Sequence, residues 1–334
     1  MVGEKQASGG SRCLVSTICR GSGPGEPSGY LYVLDPERGV LGSCPVPPCE
    51  HLHREPNPRG GIRGGRGLAA DGDTVYVANG AEVLRFDRSW HRLAGISHPW
   101  CGNVHDIAVH DDRLWVCSTA NDALAAFDAA GRLTDLVDLR PAAGLAADGP
   151  RFAAALDYRD PAGYPLAATN LLHANGVAFD AEGQALVTLG RSEADGEGCR
   201  RGLIARADGR GAPTPVADDV AVPIHNVLPM PDGTLLTLDT GAGQLCILRA
   251  DGTVADFLTL APPAPHGFLR GLCRAGECRL LVGERNRLLL VDLKSRTAAT
   301  LALSDSPREA VYAIAPLPAG FEPLPASLVP ERHW

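Results

Sequence analysis

The hydrophobic positions of this chain fall in short runs, separated by turns that are rich in glycine, proline and aspartate. Apolar and polar residues alternate in TVYVANG (74–80), RLWVCST (113–119) and TLLTLDT (234–240). This period of two, filled with β-branched and aromatic residues, is typical of strands. No long stretch follows the 3.6-residue period of a helix, although the alanine-rich segment 141–170 has room for a short one. The pattern predicts an all-β fold.

One phrase recurs along the chain and divides it into units. It consists of a short apolar strand, a turn on Asp or Gly, a second strand, a turn of small residues and a third strand, as in HDIAVHDDRLWVCST from His105. Equivalent first-strand positions are Gly67, Asp106, Gly176, Asn226, Gly271 and Tyr312, at intervals of 39, 70, 50, 45 and 41 residues. A four-stranded propeller blade takes about 40–45 residues, so six first strands predict a six-bladed β-propeller.

The two ends of the chain are predicted to share one blade. The last phrase, 309–318, has room for one strand only, whereas the N-terminal region supplies strands at 13–18, 30–35 and 39–44 but no first strand. Joining the N- and C-terminal strands in one blade completes the sixth blade and removes the open sheet edges that would otherwise invite aggregation.

We therefore expect a single domain over residues 11–318, with terminal tails at 1–10 and 319–334. The two long intervals carry insertions at 141–170 and 191–202, which are expected to cap one mouth of the central channel. A ring of this length as one domain is ordinary for all-β proteins.

Charge and composition exclude several classes of function. The net charge of −8 and the absence of a large basic patch argue against nucleic acid as a partner. No apolar run of about 18 residues is present, so no membrane span is expected. The first residues, MVGEKQASGGSR, lack the apolar centre of a secretory signal, which predicts a cytoplasmic protein with reduced cysteines.

Residues of metal-ligand type also follow one another in a proline-rich loop, at Cys44, Cys49, His51 and His53. The spacing is loose and no second cysteine pair follows, as structural zinc sites usually require. Whether this loop binds anything stays open.

The register of the repeat brings polar residues to one level of the propeller. Aligning the blades places Arg66, His105, Asn175, His225 and Arg270 at one equivalent position, listed in chain order. His173 precedes Asn175 by two residues and therefore shares its face of the strand. Three imidazoles, those of His105, His173 and His225, are thus predicted to converge at one channel mouth. Neutral imidazole suits zinc, iron and copper, and three protein ligands with open positions are typical of catalytic sites.

Other residues are candidates for roles around that metal. Arg66 and Arg270 are suited to binding an anionic part of the substrate, and Tyr158 is a candidate proton donor or acceptor. Further candidate site residues are His266, Asn175, Asn226 and Glu309. Asp106 is expected to point to the opposite face of its strand from His105 and is left out.

At these residues the chain resembles an uncharacterised bacterial β-propeller family of conserved hypothetical proteins, some of them fused to tetratricopeptide repeats. The phrases that carry the resemblance are CLVST (13–17), RGLAADGDTVYVANG (66–80), VHDIAVHDDRLWVCST (104–119), LHANGVAF (172–179), GCRRGLI (198–204), IHNVLPMPDGTLLTLDTGAGQLCIL (224–248) and FLRGLCR (268–274). The resemblance implies that three histidines and an arginine recur, which here are His105, His173, His225 and Arg270. It names no reaction, and the loop at 44–58 departs from it.

Two other propeller groups are more distantly similar. Peptidyl-hydroxyglycine amidating lyase resembles this chain in having six blades and three first-strand histidines around zinc. The gluconolactonase-like propellers bind calcium through carboxylates and asparagine, and only NGVAF, with Asn175, is similar to theirs. A calcium lactonase would carry a carboxylate where this chain has Arg66, so the lyase-like site fits better.

Three functional hypotheses follow. The first is a metal-dependent lyase or hydrolase that acts on a small anionic or peptide-like substrate. The second is an iron- or copper-dependent oxidoreductase with the same three-histidine site. The third is a non-catalytic interaction propeller, which gives no reason for three imidazoles in register and usually has aromatic hot spots on exposed loops.

Overall fold

A computed structural model describes residues 12–23, 26–47, 64–146, 157, 159, 171–190, 202–207, 211–221 and 223–328. In these ranges the chain forms six four-stranded antiparallel sheets, each one blade of a β-propeller. The prediction of a six-bladed propeller is confirmed. The helical elements described are two short 3₁₀ turns, Thr119–Asn121 and Arg140–Ala143, the second at the start of the alanine-rich segment.

The strands follow the repeat closely. In chain order they are β1 (Cys13–Cys19), β2 (Tyr30–Asp35), β3 (Gly39–Pro45), β4 (Leu68–Asp71), β5 (Thr74–Ala78), β6 (Val83–Phe86), β7 (Arg92–Ile96), β8 (Val104–His110), β9 (Arg113–Ser118), β10 (Ala123–Phe127), β11 (Leu133–Asp138), β12 (Ala174–Phe179), β13 (Ala185–Leu189), β14 (Leu203–Ala207), β15 (Thr214–Ala217), β16 (Ile224–Pro229), β17 (Leu235–Asp239), β18 (Gln244–Leu248), β19 (Val254–Thr259), β20 (Leu269–Arg274), β21 (Arg279–Glu284), β22 (Arg287–Asp292), β23 (Thr297–Ala302) and β24 (Glu309–Pro316). Blade 1 has the order β24-β1-β2-β3, and blades 2 to 6 are β4–β7, β8–β11, β12–β15, β16–β19 and β20–β23.

The ring is closed by the two ends of the chain, as the sequence predicts. Strand β24 pairs antiparallel with β1, which places Cys13 opposite Pro316 and Cys19 opposite Glu309. The innermost strand of blade 1 therefore comes from the C-terminal region and the other three come from the N-terminal region. The inner strands of neighbouring blades contact one another around the whole ring.

Burial is highest in the middle strands of a blade and lowest at its outer edge. Strands β10 and β13, with the sequences ALAAF and ALVTL, are buried at every residue, because neighbouring blades cover both of their faces. The outermost strands β7, β19 and β23 are largely exposed. Continuous apolar runs in the middle of each blade are thus the sequence signature of strands that are covered on two sides.

Glycines allow the inner strands to approach one another. A Cβ atom on Gly67 would lie 2.6 Å from the Cα of Asp106, in the next blade. A Cβ atom on Gly176 would lie 2.5 Å from Thr188 Oγ1 and 2.9 Å from the Cα of Asn226. Since backbone atoms of the next blade lie next to both positions, the inner strands of neighbouring blades are in close contact at the level of the repeat's marker residues.

Hydroxyl groups connect some neighbouring blades. Ser16 donates to the carbonyl oxygen of Arg66 over 2.6 Å, Thr119 to that of Ala174 over 2.5 Å, and Thr240 to that of Leu269 over 2.7 Å. In each case the hydroxyl lies in or just after the second strand of one blade, and the carbonyl lies at or just before the inner strand of the next. We call these three hydrogen bonds the hydroxyl staples.

Several predictions fall on parts of the chain that the structure does not describe. Most of both insertions, the extreme ends of the chain, and the side chains of Tyr158, Cys49, His51 and His53 lie outside the described ranges. Cys44 is described and buried in β3, where burial raises the pKa of its thiol to about 12. No helix in the described ranges is long and apolar enough to cross a membrane.

Candidate functional site

The inner strands bring the aligned polar residues to one end of the channel. His105, Asn175, His225 and Arg270 are each the second residue of an inner strand, and Arg66 lies two residues before β4. All inner strands run in the same direction, so their first residues meet at the same mouth. His173 lies just before β12, with a left-handed backbone φ of 53°.

Aromatic contacts confirm that these side chains reach across the channel. The imidazole centroids of His105 and His173 are 4.7 Å apart, with the rings nearly perpendicular. His105 also lies 6.1 Å from the ring of Tyr312 between centroids. Tyr312 belongs to blade 1 and His105 to blade 3, so both rings must point into the space that the blades surround. We call Arg66, His105, His173, His225, Arg270 and Tyr312 the channel-mouth cluster.

The two arginines of the cluster are held rigidly. Arg66 is only 1% exposed, and its Nη1 donates to Asn103 Oδ1 over 2.5 Å and to the Val104 carbonyl over 3.2 Å. The guanidinium carbon of Arg270 lies 3.5 Å from the centroid of the Tyr312 ring, a cation–π contact. Two buried guanidinium groups give this mouth a positive potential that favours an anion.

Hydrogen bonds fix the tautomers of two histidines. His105 Nδ1 lies 2.7 Å from the carbonyl oxygen of Asn103, which only accepts, so this nitrogen carries the proton. His225 Nδ1 lies 2.7 Å from Thr240 Oγ1. The Thr240 hydroxyl proton is already donated to the Leu269 carbonyl, so His225 Nδ1 must be the donor as well. In both rings the Nε2 atom is left with its lone pair.

The same histidines stay neutral near pH 7. Burial lowers the pKa of His105 well below its usual range, and His173, Arg66 and Arg270 lower it further. Burial likewise lowers the pKa of His225 well below its usual range, with Arg270 and His173 contributing. Neutral imidazoles with the proton on Nδ1 are the form that binds metals or accepts protons through Nε2.

Asp106 takes part in this site, although the strand register predicts the opposite face. Its Oδ2 accepts a hydrogen bond of 3.1 Å from the backbone N–H of Val177 in the next blade. Burial raises the pKa of Asp106 to about 7, against the lowering effect of that hydrogen bond, of another from Ile107 and of Arg270. A carboxyl group that titrates near neutral pH is suited to general acid–base chemistry.

We expect Asp106→Asn to stabilise the protein at pH 8 by about 2 kcal/mol, which raises the melting temperature by about 3 °C. The pKa of Asp106 is about 7 in the folded chain, against an ordinary 3.8, so the stability lost through its ionisation grows as the pH rises from 3.8 to about 7 and stays constant above that. Asn226 already makes the corresponding bond, from Gly271 N–H, in blade 5. Calorimetry at pH 8 and pH 5 checks this. A gain that is equal at both pH values would contradict the raised pKa.

The remaining sequence candidates lie in other surroundings. Asn175 uses its amide for fold contacts, since Nδ2 donates to the Ile224 carbonyl over 2.9 Å and Oδ1 accepts from Thr188 over 2.7 Å. His266 is exposed on the loop before β20. Glu309 accepts hydrogen bonds from Thr17 and Tyr32 and lines a lateral cavity of blade 1.

The donor set partly fits the predicted transition metal. Two Nε2 lone pairs are oriented by hydrogen bonds at Nδ1, and a carbonyl or hydroxyl in that position is the usual arrangement behind metal-ligating histidines. In the described parts of the chain, however, no group of three or more His, Cys, Asp or Glu side chains is arranged so that it could hold a metal ion. A three-histidine site would therefore need at least one imidazole to reorient.

Comparisons with solved structures point to one fold. The chain is similar to a nidogen/laminin complex structure at 13% identity, over 91% of this chain and 97% of that one, with a TM-score of 0.60. It is similar to a protein of unknown function from Bacteroides caccae at 10% identity, over 92% and 99%, with a TM-score of 0.59. A streptogramin B lyase matches at 12% identity, over 74% and 71%, with a TM-score of 0.51.

What they share is the fold. At these identities the matches do not carry a function, and they span both an enzyme and a protein complex. No protein-family model matches the sequence, and no curated protein matches it.

Proposed function

We propose that this protein is a metal-dependent lyase or hydrolase that acts on a small anionic substrate at the channel-mouth cluster. One observation carries the proposal: His105 and His225 are both held as the Nδ1–H tautomer, with Nε2 available at the same mouth. A histidine with a purely structural role has no need for this orientation in two separate blades. The burial that keeps both rings neutral supports the same conclusion.

In this proposal His105, His225 and His173 would hold a divalent transition metal, the first two through Nε2. The metal would supply Lewis acidity at the channel mouth. His173 is the imidazole expected to reorient, because its ring stands nearly perpendicular to that of His105.

The other residues of the cluster would bind the substrate and move a proton. Arg66 and Arg270 point positive charge at the mouth and are suited to a carboxylate, phosphate or similar group. Asp106, with a pKa of about 7, would donate or accept a proton at neutral pH.

A second candidate function uses the same residues without a metal. The pKa of Asp106 and the neutral imidazoles suffice for general acid–base catalysis on an anionic substrate. The arrangement of the described side chains, which includes no three-residue metal group, favours this candidate. If the bound metal is iron or copper, the oxidoreductase hypothesis is favoured over the lyase or hydrolase.

The metal proposal is tested by removing two of the hydroxyl staples in turn, those of Thr240 and Thr119. We expect Thr240→Val to weaken metal binding by about 10–100-fold, because it removes the group that orients His225. Thr119→Val is the matched control, since it removes the equivalent bond to the next blade but contacts no imidazole of the cluster. Metal affinity is measured by competition with a chromophoric chelator, using Zn²⁺ and Cu²⁺ on the metal-free protein.

The comparison of the two variants decides the outcome. Equal affinities in both variants would mean that the Thr240 hydrogen bond serves the fold alone. Wild-type protein that binds neither metal would overturn the metal-dependent proposal and leave the acid–base candidate.

A further inference from the structure

A second candidate site lies in blade 1, apart from the channel-mouth cluster. A cavity of about 330 Å³ opens between the loops of this blade, and its walls include Cys19, Tyr30, Tyr32, Ser304, Arg308 and Glu309. This volume is at the lower end of the range for small-molecule pockets. No residue of the channel-mouth cluster lines the cavity, so its ligand is separate from the proposed substrate.

Glu309 is the group that gives this cavity its chemistry. The residue is 4% exposed, and its Oε1 accepts hydrogen bonds from the Thr17 hydroxyl over 2.6 Å and the Tyr32 hydroxyl over 2.7 Å. Its Oε2 makes no hydrogen bond with any part of the chain that the structure describes. A buried carboxylate with a free oxygen favours a hydrogen-bond donor, above all a cationic one.

The cation nearest to Glu309 in the cavity wall is already engaged. Arg308 forms an ion pair with Glu26, with 2.9 Å between Arg308 Nη2 and Glu26 Oε2, and its Nε donates to the carbonyl of Arg20. Because Arg308 and Glu26 neutralise each other, the negative charge of Glu309 is the net charge of the described cavity wall.

Glu309 raises the pKa values of neighbouring groups. Burial, followed by the charge of Glu309, raises the pKa of the Cys19 thiol to about 11. Burial and the hydrogen bond to Glu309 also raise the pKa of Tyr32. Both groups therefore stay neutral, and neither supplies a counter-charge.

Two aromatic rings complete the surroundings. Tyr30 and Tyr32 both line the cavity, with centroids 6.2 Å apart and planes tilted by 47°. Aromatic rings next to a buried carboxylate form a site that stabilises an organic cation through cation–π contacts and through burial of its alkyl part.

We propose that this cavity binds a small primary alkylammonium ligand. The ammonium group donates to Oε2 of Glu309, and its alkyl chain packs against Tyr30 and Tyr32. The hydroxyl of Ser304, in the same wall, is within the cavity to accept a second proton of the ammonium.

The test uses butylammonium as the probe and 1-butanol as its neutral counterpart. Titration calorimetry and ligand-observed NMR at pH 7.5 measure both with the wild-type chain, where butylammonium is expected to bind at least about tenfold more tightly. Glu309→Gln is expected to weaken butylammonium by at least about tenfold and to leave 1-butanol unchanged. Glu284→Gln is the matched control, because Glu284 is also buried but pairs with Arg287 outside this cavity.

A second variant protects the test against a loss of folding. Tyr30→Leu keeps the carboxylate and removes one ring, and a two- to fivefold weaker binding of butylammonium is expected, about what an exposed cation–π contact contributes. Circular dichroism and melting temperature establish that each variant is folded. Equal binding of the two probes, or affinity for butylammonium that survives in both Glu309→Gln and Tyr30→Leu, would overturn the proposal. So would the absence of any binding to the wild-type chain.

Discussion

Replacing His225 by alanine is expected to leave the purified protein with less than about a tenth of the metal carried by the wild type, since loss of a ligand exceeds the 10–100-fold cost of losing its orienting partner. The reason is geometric. Thr240 holds the ring through Nδ1, which leaves the Nε2 lone pair for the metal. Plasma mass spectrometry after dialysis against metal-containing buffer gives the ratio of metal to protein.

The other two histidines should behave in the same way. His105→Ala removes the second anchored ring. At His173 the backbone φ of 53° is unfavourable for alanine, so His173→Asn tests the ligand without adding strain. His91→Ala is the control, because His91 is an exposed residue that pairs with Asp87 on a turn. Metal that remains at wild-type level in all three variants would show that the imidazoles are not its ligands.

Gly67→Ala is expected to destabilise the protein by about 3 kcal/mol, which lowers the melting temperature by about 4 °C. The added methyl group would lie 2.6 Å from the Cα of Asp106 and 2.8 Å from the backbone nitrogen of Ile107. Because both are backbone atoms, no side-chain rotation relieves the contact, and blades 2 and 3 must move apart. Differential scanning calorimetry measures the change.

A second glycine supplies the comparison. Gly23→Ala places a methyl group where no atom lies within 4 Å, so its melting temperature should stay within about 1 °C of the wild type. If Gly67→Ala is as stable as Gly23→Ala, the inner strands of blades 2 and 3 are not in the close contact described here.

The fold could be predicted from the sequence almost completely, because a propeller repeats its pattern. The positions Gly67, Asp106, Gly176, Asn226, Gly271 and Tyr312 all lie in or next to inner strands, and the closing strands of blade 1 begin and end close to the predicted residues. Because the same pattern recurs in every blade, the assignment of one short strand can be checked against the equivalent strands of the other blades.

For the site, the sequence predicts only which residues lie at the same level of the propeller. Alignment of the blades places His105, His225 and Arg270 at one mouth, but it does not reveal which groups their side chains hydrogen-bond to. The role of Thr240 is not predictable from the sequence, because a threonine at the end of a strand has no distinctive pattern; the one signal is Thr119, which follows the corresponding strand of blade 3. From the sequence Tyr312 only marks the last inner strand, whereas in the structure its ring lies against the guanidinium of Arg270.

Asp106 shows why strand alternation fails at an irregular pairing, because the register of β8 against β9 shifts between Val104 and Ile107. Alternation sends its side chain away from that of His105, which in an open sheet would remove it from the site. In the ring, the next blade is close enough for the carboxylate to bond to the backbone of Val177. The sequence signal for this contact is Asn226, which occupies the same position in blade 5 and likewise accepts a hydrogen bond from the backbone of the next blade.

The closing strand has a consequence for how this protein is made. Tyr312, on which Arg270 rests, lies in β24, which pairs with a strand that begins at Cys13. During synthesis the three other strands of blade 1 leave the ribosome before the strands of the other five blades, and their inner edge stays unpaired until β24 has been made. Pairing over such a sequence separation is slow. The channel mouth, which includes Tyr312, can therefore be complete only after β24 has paired, and a chain cut before β24 has neither a closed ring nor a complete site.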